Sequence, residues 1–142
     1  MASKTTQSAN DIINYMARGV APSWDGATTL YLSLHASAIA LGSDITDDEI
    51  SYTGYARQPI ARNSSGEFDI ASGGGTANNV QVLFGVATAG SFPIAATHLG
   101  ISAAASGAGT CIASGTIAGG GVTINTNSNP TILIGNLVWL EQ

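Results

Sequence analysis

Hydrophobic and polar positions follow two different periods along this chain. Between Ser8 and Gly19, the apolar residues Ile12, Ile13, Met16 and Ala17 fall on one face of a 3.6-residue repeat. Ser8 with Asp11 three positions later resembles a capping box, and Gly19 is placed to stop the element, so a short amphipathic helix is expected near 9–18. A helix this short is marginal alone, and its apolar stripe has to dock on a sheet or on a neighbour. From Thr28 the period becomes two. Leu30, Leu32 and Leu34 alternate with Tyr31, Ser33 and His35 in TTLYLSLH, the pattern of a strand with one face in the core.

Beyond that strand the pattern breaks into short pieces. Residues 36–53, ASAIALGSDITDDEISYT, form a long connection carrying Asp44, Asp47, Asp48 and Glu49. Loops of this length are usually functional, disordered or in contact with a partner. Tyr55 to Ala61 reads as a strand with Pro59 inside it, which favours a sheet edge or a bulge because proline cannot donate to the ladder. Phe68 to Ile70 follows, then the turn SGGGT and the apolar run NVQVLFGVA. After these come THLGISAA, TCIASGTIA, VTINT and TILIGNLVWL, separated by SGAG, GGG and NSNP.

Short strands at this spacing, divided by Gly, Asn and Ser turns, predict an all-β fold with one short N-terminal helix: an antiparallel β-sandwich, jelly-roll-like in one form, or a barrel. Residues 1–7 are small and polar and are expected as a flexible N-terminal arm, leaving 8–142 as a single β-sandwich domain. A chain of 142 residues can bury about 70% of its unfolded surface in one core.

Charge alters the picture. Only 9% of the residues are charged, against about 25% in an average domain, so part of the surface is expected to lie under partner chains. The net charge is −5, and Lys4, Arg18, Arg57 and Arg62 are too few and scattered to neutralise a phosphate backbone, which argues against direct nucleic-acid binding. No stretch approaches the ~20 apolar residues of a membrane span, and MASKTTQSAND has no apolar leader core. The single cysteine, Cys111, sits in a Gly/Ala/Ser-rich run and reads as a small buried packing residue.

Residues suited to catalysis are sparse. Nucleophilic catalysis needs Ser or Cys with a His base and usually an orienting carboxylate. The histidines, His35 and His98, are far apart in sequence, and no G-x-S-x-G elbow presents a serine. DITDDE lacks the spacing of a calcium loop and reads as a solvated acidic loop or a contact for a basic partner. The glycine clusters at 73–75 and 119–121 match no phosphate loop and read as turns. Glu67 and Asp69 on one strand face would lie about 7 Å apart, a permissive but common spacing for glycoside hydrolysis. Trp24, Tyr52 and Tyr55 could serve as sugar platforms; lone aromatics, Trp139 among them, are more often core or interface anchors. No enzyme activity, cofactor or metal is expected.

The order of segments resembles a family of small tailed-phage virion proteins, tail-fibre-like or capsid-decorating. The residues that carry the resemblance are a short helix ending in MARG, the strand LYLSLH opening a long loop, GYARQPIAR, then ATHLGISAAASG, and Gly135 ahead of the terminal NLVWL. It spans about residues 8–140. Two features depart from it: ASAIALG stands where family members carry a Thr-Ala-Asp-Pro turn, and CIASGTIA lacks their aromatic residue.

The resemblance implies a capsid decoration, or cement, protein on the outside of a phage head, assembled in the host cytoplasm. Its partners would be copies of itself, expected as a trimer, and the major capsid protein or other virion proteins. A tail or fibre component is the alternative, and a carbohydrate-binding β-sandwich is the alternative from another class. Under the first reading the interface residues are Ile12 and Met16 on the helix, Trp24, Asp47 and Asp48 in the acidic loop, and Tyr55 and Arg57 in the border strand. Arg57 is expected to pair, inside the oligomer, with a carboxylate from Asp44 to Glu49 rather than with a ligand.

Overall fold

A computed structural model describes residues 2–4, 6–40, 43–63 and 66–140. The clearest period-two segment forms the strand β2 (Thr29–His35), and its alternation decides the layering. Leu30, Leu32 and Leu34 turn to one side, where they are buried with Ile60, Leu99, Ile101, Phe84 and Ile124. Ser33 and His35 turn to the other side and are equally buried.

The neighbours of β2 are β3 (Gln58–Ala61) and β7 (His98–Ser102), both antiparallel to it. Leu32 faces Ile101, which faces Ala113 on β8 (Ala113–Thr116), so one apolar row crosses three strands. The β3 strand is the border of the sheet, and Pro59 lies there opposite Tyr31, where a missing donor costs least.

The N-terminus departs from expectation. Residues 2–4, read as part of a flexible arm, form β1 (Ala2–Lys4) in the interior of the sheet, antiparallel to β8 and parallel to β11 (Val138–Leu140). Residues 1 and 5 of that arm, and 141–142 of the expected domain, lie outside the described residues. With β4 (Gly75–Ala77) the sheet has seven strands in the order β3-β2-β7-β8-β1-β11-β4.

Two small antiparallel pairs cover its leucine face: β5 (Val82–Leu83) with β10 (Thr131–Ile132), and β6 (Ile94–Ala96) with β9 (Val122–Ile124). Val82, Ala96, Ile124 and Ile132 from these pairs enter the same core as the leucines of β2. The architecture is all-β and sandwich-like with one short helix, α1 (Thr6–Arg18), which begins earlier than the expected 9–18. The run NVQVLFGVA is strand only over β5, yet Phe84 N–H and Ala87 N–H continue to Pro130 O and Ser128 O at 2.9 and 3.0 Å. Phe68 makes one bridge, to Asn78, in place of the expected strand.

The second face of the sheet is covered by the long connection. Ile39 and Ile45 pack with Cys111 in a separate small cluster. Gly100, opposite Ser33, makes room for them: a Cβ there would lie 2.6 Å from Ile45 Cδ1, 2.7 Å from His35 Nε2 and 2.8 Å from Ile39 Cδ1.

Candidate functional site

Four of the interface residues expected from sequence gather in two places: Tyr55 and Arg57 in a polar clamp at the border of the sheet, and Ile12 and Met16 on α1. The clamp begins with a close approach of two chains. Gly54 has φ +104, and a Cβ there would sit 2.1 Å from Val86 O, so the backbone requires glycine on both counts. Gly85 opposite is equally constrained by Gly54 O. The contact is held by Thr53 N–H to Ala89 O at 2.7 Å, Thr88 N–H to Thr53 O at 3.0 Å and Tyr52 O–H to Gly85 O at 3.0 Å.

Tyr55 is thereby laid parallel over Phe84, with centroids 6.0 Å apart, and meets Tyr52 edge-on. Its hydroxyl accepts from Leu34 N–H at 3.0 Å and donates to Glu49 Oε1 at 2.9 Å. Burial pushes the phenol well above its ordinary pKa, which keeps it a donor.

Arg57 completes the arrangement. Its Nε and Nη2 donate to the two carboxylate oxygens of Glu49 at 2.8 and 2.7 Å, a bidentate pair in which the arginine side chain is 2% exposed and the glutamate 15%. Nη1 donates to Ala104 O and Nη2 also to Gly107 O, both at 2.9 Å. The Glu49 hydrogen bonds raise the guanidinium pKa against the opposing effect of burial.

The acidic loop is tied to the β7–β8 connection a second time. Asp44 accepts from Thr46 N–H at 2.9 Å, Thr46 O–H at 2.8 Å and Gly109 N–H at 3.0 Å, and Ile45 N–H donates to Gly109 O at 2.9 Å. The bonds from Thr46 hold the Asp44 carboxyl below its usual range. Two loops that would each be loose are thus stitched to one another and to the border strand.

An open cleft of about 390 Å³ lies over the clamp, with Thr46, Ser51, Ser106 and Gly107 in its walls. Its floor is the Arg57–Glu49 pair, in which the arginine's charge is already met by the glutamate carboxylate and by two carbonyls. The floor therefore presents no free cation to an anionic ligand. The carboxylate within 44–49 expected to meet Arg57 inside the oligomer is Glu49 of the same chain, so the pair closes within one subunit.

His35 lies beneath this loop, fully buried. Its Nδ1 is 2.8 Å from Asp47 O, which can only accept, so Nδ1 carries the proton and Nε2 accepts from the Ser33 hydroxyl at 2.7 Å. Burial lowers its pKa and keeps the ring neutral. His98 faces it directly across β2 and β7 and bonds Thr97 Oγ1 at 2.8 Å, a pairing that sequence separation alone could not reveal. Cys111 is buried, and its thiol is pushed up to about 11 by that burial.

The other expected residues are dispersed. Asp47 and Asp48 are exposed; Asp48 has φ +52 and accepts the Ser37 hydroxyl at 2.5 Å. Trp24 is half-buried, donates Nε1–H to Asp11 Oδ2 at 3.1 Å and lies 5.6 Å under the Arg62 guanidinium. Arg62 also donates to three carbonyls of the 24–27 turn. Tyr52 is buried and Tyr55 is stacked on Phe84, so neither tyrosine offers the open face expected of a sugar platform, whereas Trp24, with Arg62 over its ring, lines an open cleft of about 290 Å³ with Ser23, Ala103 and Thr110. Glu67 accepts Ala61 N–H at 3.0 Å.

The outer side of α1 differs in kind. Of the helix, only Ser8 is fully buried, its hydroxyl bonding Ile112 O, and Ile12 is half-buried. Ile13, Tyr15 and Met16 are 62%, 53% and 80% exposed, and Val20, just past the helix, is 51% exposed. The sequence identified the apolar stripe but not its direction: Ile13, Met16 and Ala17 face solvent, and Ile12 is half-buried.

A family model described as podophage GP4 fiber I protein gp80 matches residues 3–139. Among curated proteins none matches the chain.

Proposed function

Since the chain belongs to the podophage GP4 fiber I protein gp80 family and is a structural component of the phage particle, we propose that it works as a fibre subunit that assembles with copies of itself and catalyses no reaction. The observation that carries this reading is the contrast in how side chains are used. The buried polar groups are satisfied inside the chain, where Arg57, Glu49, Tyr55 and His35 hold loops in place. Large apolar side chains on α1 are left in solvent, the state of a surface made to be covered.

The match to a fibre family favours the tail or fibre location over decoration of the head lattice. In the decoration reading, the exposed Asp47 and Asp48 would meet a basic face of the major capsid protein. Quantitative gel densitometry of purified particles separates the two. A fibre subunit is present in a small number of copies per particle, and a decoration protein in hundreds. Absence from purified particles overturns both.

A further inference from the structure

We infer that α1 is the self-association seam of this protein, packing its outward stripe against α1 of a second copy. The inference deepens the fibre-subunit reading and rests on it. Ala9, Ile13 and Met16 follow one another on α1 at spacings of four and three, the a/d spacing with which one helix fits into the grooves of an identical one. Gly19, with φ +66, ends the helix with its N–H on Tyr15 O at 3.0 Å, and the exposed Val20 follows just past that end.

The stripe carries no charge that would select an oppositely charged partner. Asp11 is bonded to Gln7 and Trp24, and Arg18 to Asn14, so the ionic groups of the helix are engaged within the chain. A neutral apolar seam with this repeat is complementary above all to itself.

Size and stability point the same way. Ile13, Met16 and Val20 expose roughly 350 Å² per copy and the flanking Asn10 and Ala17 are exposed as well, so a fully covered pair approaches the ~1,000 Å² that a specific interface needs. A helix of 13 residues is marginal unless its apolar side is covered. The exposed aliphatic side chains elsewhere, Ile70, Leu83, Val86, Leu133 and Ile134, lie on short strand β5 or in connections and lack such a repeat.

The test is sedimentation velocity of the full chain, comparing wild type with Met16→Glu and Leu133→Glu. Both sites are exposed, so circular dichroism should show the wild-type fold in each. Wild type is expected to sediment as an oligomer, Leu133→Glu with wild-type mass, and Met16→Glu as a 14.2 kDa monomer. If Met16→Glu keeps the wild-type mass, or Leu133→Glu alone dissociates, the seam is wrong while the fibre reading stands. A wild-type chain that is monomeric at high concentration overturns the seam and self-assembly together. Failure of the virion reading shows elsewhere, as absence from purified particles.

Discussion

The clamp at the border of the sheet and the outer stripe of α1 reverse the usual placement of side chains. In the clamp, a charged pair, a phenol and several backbone carbonyls are withdrawn from water and bonded to one another. On the helix an isoleucine and a methionine, and just past it a valine, are left in water. The difference teaches where each region does its work. Polar groups that are buried and satisfied inside one chain fix that chain's loops, whereas apolar groups left uncovered imply a contact the isolated chain does not make. Substitution should therefore act on folding in the first region and on association in the second.

The sharpest way to break the comparison is to remove one partner of the buried pair. Arg57→Ala leaves the Glu49 carboxylate with only the Tyr55 hydroxyl and takes a donor from each of the Ala104 and Gly107 carbonyls, the first of which keeps the Ser102 hydroxyl. Urea unfolding should show a loss of about 3 kcal/mol. A loss under 1 kcal/mol would mean that the pair is solvated and that the clamp does not hold the loops.

Next in size is the packing of the acidic connection on the sheet. Gly100→Ala forces a methyl group against Ile45, Ile39 and His35, and should cost about 1–3 kcal/mol in the same assay. Wild-type stability in that variant would show that the connection stands off from the sheet.

The pH dependence follows from His35. Burial holds its pKa below 6.5, so below that pH the unfolded chain takes up a proton that the folded chain resists. Stability should fall as pH drops through about 6.5, by at most about 1.4 kcal/mol per unit, until the lowered folded pKa is reached. Melting temperatures of wild type and His35→Asn between pH 8 and 5 check this, and the variant should lack that component of the slope. Parallel curves would remove His35 as the cause.

At the bottom of the series stands Met16→Glu, which should change monomer stability by less than about 0.5 kcal/mol because the side chain is solvent-exposed within one chain. A large loss in an isolated monomer would mean that the stripe is docked on its own sheet.

What sequence could foresee in these two regions depended on the range of the contacts. Alternation in TLYLSLH is a local signal, and it placed Leu30, Leu32 and Leu34 in the core and Ser33 and His35 on the opposite face. Pro59 was legible as a border residue because its missing donor is an intrinsic property. The acidic loop was a legible source of a partner for Arg57, but the choice of Glu49 and the reach to Ala104 and Gly107 depend on a fold that joins positions about fifty residues apart. Strand β1 had no signal at all, because small polar residues become a strand there through the slot between β8 and β11. TILIGNLVWL looked like one run and is two strands, broken where Gly135 takes φ +77. The helix stripe was visible from its period, but a period does not say which way a face points.

The central claim, that the chain folds through its clamp and assembles through α1, is tested most directly in the particle itself. Phage particles carrying Met16→Glu in this protein should be purified and its copies counted by gel densitometry beside wild type, with the circular dichroism of the purified variant measured in parallel. The expected result is a variant that keeps the wild-type fold and is lost from the particle. A variant that keeps the fold and is incorporated at the wild-type copy number would contradict the claim.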